Sequence, residues 1–182
     1  MGNSTRGGLF PPVILILFGV SGAGKTTIGR LLATNLCWKF YDADDFHPQT
    51  SIARMRKGVA LTEQERWPWL HNLRDLIEQQ LTAKENAVLA CSALRKTYRQ
   101  YLRVSEEVQF VYLRGSYELI ANQIQQRRGH FMDPALLRSQ FETFEEPEPT
   151  DGVLTIDLGR PSEELVDEIR EKLLLKAQGG AG

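Results

Sequence analysis

Short, wholly apolar runs alternate along the chain with stretches that repeat apolar residues at helical spacing. "VILILF" (13–18) is apolar at every position and rich in β-branched residues, the pattern of a strand buried on both faces. "TTIGRLLATNL" follows with helical spacing, then "WKFYDAD", a second short strand that ends in acids. "VALTEQERWPWLHNLRDLIEQQL" reads as a long helix. Thr62 and Glu65 form its capping box, and Pro68 restricts where the first turn lies. "AVLACSA", "VQFVYLRG" and "GVLTIDLG" are three further strands, separated by "RKTYRQYLRV", "SYELIANQIQQRR" and "DPALLRSQF". In the last of these Asp133 is placed as cap and Pro134 at the first helical position. "PSEELVDEIREKLLL", started by Ser162, closes the pattern.

Strands interleaved with helices predict an α/β fold, a five-stranded parallel sheet with helices on both faces. Ligands of such sheets bind beyond the carboxyl ends of the strands. The loops after Phe18, Asp44, Ala93, Arg114 and Asp157 should therefore ring one crevice.

The bulk numbers narrow the class without naming a reaction. A chain of 182 residues, 42% hydrophobic and 25% charged, suits one domain with its own core. Net charge is −1, so no strongly basic surface points to nucleic acid or an anionic membrane. "VILILF" is too short to span a bilayer, and Arg6 stands where myristoylation after Gly2 wants Ser or Thr. Cys37 and Cys91 lie far apart inside apolar runs and read as two reduced core thiols of a cytoplasmic protein. Residues 1–11 and 177–182 read as loose tails around a domain spanning 12–176.

Four segments carry chemistry. The first, Gly19-Val20-Ser21-Gly22-Ala23-Gly24-Lys25-Thr26, fits GxxxxGK[ST] between a buried strand and a helix. Its glycines let backbone N–H groups curl around phosphate oxygens, the helix starting at Lys25 points its positive end at them, Lys25 reaches the β and γ groups, and the Thr26 hydroxyl is a magnesium ligand. The second, "YDADDFHP", crowds Asp42, Asp44 and Asp45 at a strand end. Alternation puts Asp42 and Asp44 on one side, and Asp44 is the favoured proton acceptor or metal orienter. The third, "VLACSALRKTYR", lacks the acid that many motor ATPases place after this strand. It ends instead in Ser92 and a basic cluster, Arg95, Lys96 and Arg99, suited to an anionic acceptor, with Arg95 nearest the strand end. The fourth, "QQRRGHFMDP", offers Arg127 and Arg128 as lid arginines or, equally well, as the charged last turn of a helix capped by Gly129. His47, His71 and His130 show no metal-ligand spacing.

Together "GVSGAGKTT", "WKFYDADDFHP", "CSALRKTYR", "GHFM" and "SQFETFEEPEP" resemble the gluconokinases, the small P-loop type related in fold to shikimate and adenylate kinases. The resemblance runs from about Val13 to Leu175. It implies a nucleoside-monophosphate-kinase-like fold, a substrate-binding helical segment at about 47–81 and a lid at about 127–145. The implied reaction is phosphorylation of D-gluconate at its 6-hydroxyl by ATP with Mg2+, feeding the pentose phosphate route, in a cytoplasmic homodimer that binds neither nucleic acid nor membrane. Residue by residue, it places Gly19 to Thr26 and Thr27 on ATP and the metal, Asp44 as base or hydroxyl orienter, and Arg128 as the lid arginine on the phosphates. His47, Arg54, Arg95 and His130 would hold the sugar acid, with Arg95 standing where other members usually carry Lys. From the residues alone, shikimate, a nucleoside monophosphate or a slow nucleotide switch remain open; the absence of N-K-x-D disfavours a guanine-nucleotide switch.

Overall fold

A computed structural model describes residues 12–56, 61–126 and 134–179, without the side chains of 55, 56 and 175–179. The five expected strands form one sheet: β1 (Ile14–Phe18), β2 (Lys39–Asp42), β3 (Ala87–Ala90), β4 (Val108–Arg114) and β5 (Leu154–Asp157). Their order is β2-β3-β1-β4-β5, and all pairings are parallel. The apolar run of β1 takes the centre, with Ile16 in register with both Leu89 and Phe110. A central strand shows both faces to other layers, so each of its residues must be apolar.

Alternation along β1 sorts the core into two halves. Leu15 and Leu17 meet Ile28, Leu32, Val166 and Ile169 from α1 (Lys25–Leu36) and α7 (Ser162–Gly179). Ile14, Ile16 and Phe18 meet Trp69, Leu73, Tyr98 and Leu102 from α3 (Glu63–Thr82) and α4 (Lys96–Leu102). The capping box predicted for α3 is present. Glu65 N–H donates to the Thr62 hydroxyl, and the Glu65 carboxylate accepts from Thr62 N–H at 2.8 Å. Pro68 lies inside this helix rather than before it. The remaining helices are α2 (Gln49–Arg56), α5 (Tyr117–Gln126) and α6 (Pro134–Thr143), the last opening on Pro134 as expected; its proposed cap, Asp133, lies outside the described residues.

Two expectations need correction. Cys91 is buried, and burial pushes its thiol up to about 12, but Cys37 is exposed, in a left-handed turn that ends α1. Strand β2 stops at Asp42 and gives way to a 3-10 turn, Ala43–Phe46, so strand alternation cannot place Asp44. The turn itself brings the two acids together, because the Asp42 carboxylate accepts from Asp44 N–H at 3.2 Å and caps the turn.

Candidate active site

The carboxyl ends of the strands do converge on one crevice. Gly19–Gly24 form the turn between β1 and α1. Gly24 has φ 85 as the N-cap of α1, and Gly22 has φ 87 with Ile124 so close that a Cβ would come within 2.6 Å of it. Left-handed backbone favours glycine at both, and at Gly22 the lack of space requires it as well. The Lys25 ammonium donates to the carbonyls of Gly19 (3.0 Å) and Val20 (2.9 Å), which holds it across the mouth of the turn. Gly19 N–H donates to Ser92 O at 3.3 Å, tying the turn to the end of β3. Thr27 lies exposed in the first turn of α1.

The Thr26 hydroxyl donates to Asp42 Oδ2 at 2.8 Å. A hydroxyl and a carboxylate so joined are the hard oxygen donors magnesium takes, leaving other positions to phosphate and water, so these residues fit the metal expected here. Asp42 is therefore the acid that touches the phosphate loop, where the sequence pattern favours Asp44 as the metal orienter. Asp44, one turn further, is solvent-exposed and its pKa is raised. Loss of hydration where protein crowds the carboxylate is the larger cause and the Asp42 charge the next; Lys25 and His47 pull the other way.

Helix α3 supports this acidic turn from below. The Trp69 indole donates to Ala43 O at 2.7 Å, and Asn72 Nδ2 donates to Phe46 O at 3.0 Å. The His47 ring stacks on Trp69 with centroids 4.6 Å apart, and its buried Nδ1 has no hydrogen-bond partner. Burial lowers the His47 pKa, against the pull of Asp44.

The two arginines expected to bind an anionic acceptor are held by acids of the same helix. Arg54 Nη1 donates to Glu65 Oε1 at 2.6 Å, and Arg95 Nη1 to Glu63 Oε2 at 2.8 Å. Arg99 departs from its expected place in a basic cluster offered to an anionic acceptor. It is 4% exposed and donates to Ala93 O (3.0 Å), Leu94 O (3.3 Å) and Glu145 O (2.7 Å), with its guanidinium 5.0 Å above the Phe18 ring. This grip explains how Ala93 keeps a left-handed φ of 38 without being glycine. Arg99 thus shapes the loop that presents Arg95, and Lys96 is engaged with Asp151 at 3.2 Å.

A cavity of about 590 Å3 opens at the ends of β4 and β5. Tyr112, Gly115, Phe144 and Leu158 line it, and the Arg114–Asp157 pair forms part of its wall through two bonds of 2.6 and 3.0 Å. Arg128 and His130 lie outside the described residues.

The shikimate kinase family model matches residues 21–173. A gluconokinase of Arabidopsis thaliana is 42% identical over 149 residues, covering 74% of this chain and 79% of its own. The thermosensitive gluconokinase of Escherichia coli K12 is 41% identical, covering 87% of this chain and 86% of its own. The chain belongs to the gluconokinase family. The crystal structure of a gluconokinase from Sinorhizobium meliloti 1021 agrees, with a TM-score of 0.77 and 34% identity over 92% of this chain and 98% of that one.

The sequence patterns point to the phosphate loop, Arg54 and Arg95 and, at the acidic strand end, to Asp44 above Asp42; they do not point to Gln140. The only signal for Asp42 was its place at the end of an edge strand. Gln140 had none beyond its position in "SQFET", since its partner Ser21 lies 119 residues away: Ser21 N–H donates to Gln140 Oε1 at 2.7 Å, and Gln140 Nε2 donates to Ser21 Oγ at 3.0 Å.

Proposed function

We infer that this chain transfers the γ-phosphoryl group of ATP to gluconate. The observation that carries the reading is the placement of Asp44 one short turn from Asp42, which is itself bonded to Thr26 of the phosphate loop. An acceptor hydroxyl bonded to Asp44 sits beside the terminal phosphate, the geometry that phosphoryl transfer requires. Asp44 takes the hydroxyl proton as the oxygen bonds to the γ-phosphorus. The bond from that phosphorus to the β–γ bridging oxygen breaks, and ADP leaves. Lys25 and the N–H groups of the glycine turn balance the charge on the phosphates. Thr26 and Asp42 would hold Mg2+, which when bound neutralises the charge on the β- and γ-phosphate oxygens.

At the acceptor end Arg54 and Arg95 are the cations available for the sugar carboxylate, with His47 beside Asp44. Arg128 and His130 complete the proposed set, along with Thr27 on the nucleotide. The cavity at the ends of β4 and β5 is the proposed seat of the nucleoside. Transfer to the 6-hydroxyl, supply of the pentose phosphate route, a cytoplasmic setting and a homodimer belong to the same proposal. The test is ADP release with Mg-ATP against gluconate, shikimate, AMP and no acceptor. Gluconate alone should stimulate release; a gluconate rate equal to the no-acceptor rate overturns the reading.

A further inference from the structure

Helix α6 is held to the body of the protein by apolar anchors. Leu137 is buried, Phe141 meets Tyr117 edge-on at 5.5 Å, and Phe144, just beyond the helix, lies against Tyr112 at 5.0 Å. Gln140 belongs to none of these contacts. Its amide instead reaches the phosphate loop and pairs with two polar groups of Ser21, the backbone N–H and the hydroxyl. A backbone N–H can only donate, so the amide oxygen must face it and the amide nitrogen must face the hydroxyl. The orientation of the glutamine is therefore fixed by its partner.

Ser21 sits between Val20, whose carbonyl accepts from Lys25, and Gly22, which packs against Ile124 of α5. The loop is thus gripped on one side by α5 and on the other by the Gln140 amide. A glycine-rich turn loses more conformational freedom on ordering than any other backbone, and a turn already ordered leaves less of that cost to nucleotide binding. Because Gln140 takes the Ser21 N–H, the phosphates are left to the N–H groups that follow it.

We propose that Gln140 is a positioning residue of the phosphate loop, presetting the turn at Ser21 for the phosphates of ATP. The proposal rests on the kinase reading only through the identity of the nucleotide. Its primary readout, ATP binding by calorimetry on the full chain with Mg2+, needs no acceptor, so it can fail or stand independently of the gluconate assay. Gln140→Leu should weaken ATP binding about tenfold, the loss expected for two neutral hydrogen bonds, and leave the KM for gluconate within about twofold. Ser21→Ala, which removes only the hydroxyl acceptor and leaves α6 untouched, should weaken ATP in the same direction but less. The double variant should be no worse than Gln140→Leu. Melting temperature is followed alongside, and if Gln140→Leu unfolds early, Ser21→Ala decides. Unchanged ATP affinity in both variants overturns the proposal. So does tighter ATP binding, which would make the glutamine a competitor for the loop, and so does an equal loss of ATP and gluconate affinity, which would mark a general structural role.

Discussion

On the phosphate side of the crevice the groups proposed to meet substrate are backbone N–H groups and one lysine, set by glycine geometry and by contacts from α5 and α6. On the acceptor side they are long charged side chains, and each arginine already has a partner: Arg54 with Glu65 and Arg95 with Glu63. The first side presents backbone N–H groups whose direction the turn itself sets. The second must exchange partners, because a sugar carboxylate can use Arg95 fully only if Glu63 gives it up. Between the two lies the Asp42–Asp44 turn, fixed from below by Trp69 and Asn72. The difference separates what should be rigid, the chemistry shared with other P-loop kinases, from what should be adjustable, the choice of acceptor.

The turn between the halves carries the largest expected effect. Asp44→Asn keeps the shape and removes the base, so kcat should fall by roughly 10²–10⁴-fold while calorimetry shows ATP still bound. A kcat near normal would move the base elsewhere and join the two halves at some other residue.

Asp42→Asn sharpens the comparison, because this residue touches both sides. With the metal-side carboxylate weakened, kcat should fall by roughly 10–100-fold. The pH profile should move as well. The base works only when ionised, and the Asp44 pKa is raised, so kcat/KM is lost on acidification at a pH above the usual carboxylate range. Asp42 is the second-largest cause of that rise after the loss of hydration. Removing its charge should move the acid limb to lower pH, and a limb that stays put would show that Asp44 does not set it.

These residues also show how far sequence carries. The all-apolar run of β1, the glycine turn and the Thr62–Glu65 box are local patterns, and each stands in the structure where spacing put it. Asp44 was reached by a strand rule that does not apply, since β2 ends at Asp42 and a 3-10 turn follows. The two acids still come together because the same carboxylate that ends the strand caps the turn. Arg99 and Gln140 were not legible: the first is buried by carbonyls from two loops, the second pairs across 119 residues, and neither fact has a local signature. Glu65 was read correctly as a cap, yet its second oxygen holds Arg54, a use the capping pattern conceals.

Arg95→Ala acts on the acceptor half alone. A hydrogen bond to a charged group contributes roughly 1.5–3 kcal/mol, so the KM for gluconate should rise by roughly 10–100-fold with the KM for ATP unchanged. An effect confined to ATP would move Arg95 to the nucleotide side and erase the division drawn above.

The smallest effect tests the division most directly. Glu63 and Arg95 are 50% and 36% exposed, and an exposed pair of this kind is worth less than about 1 kcal/mol. Glu63→Gln keeps the helix and its cap, since the capping box belongs to Thr62 and Glu65, but releases Arg95 from competition. The KM for gluconate should therefore fall, by no more than about fivefold, with kcat and the KM for ATP unchanged, and the gain should shrink as added salt screens the pair in the parent protein. A rise in the KM for gluconate would mean that Glu63 orients Arg95 toward the sugar acid instead of competing with it, and the acceptor half would then be as preset as the phosphate half.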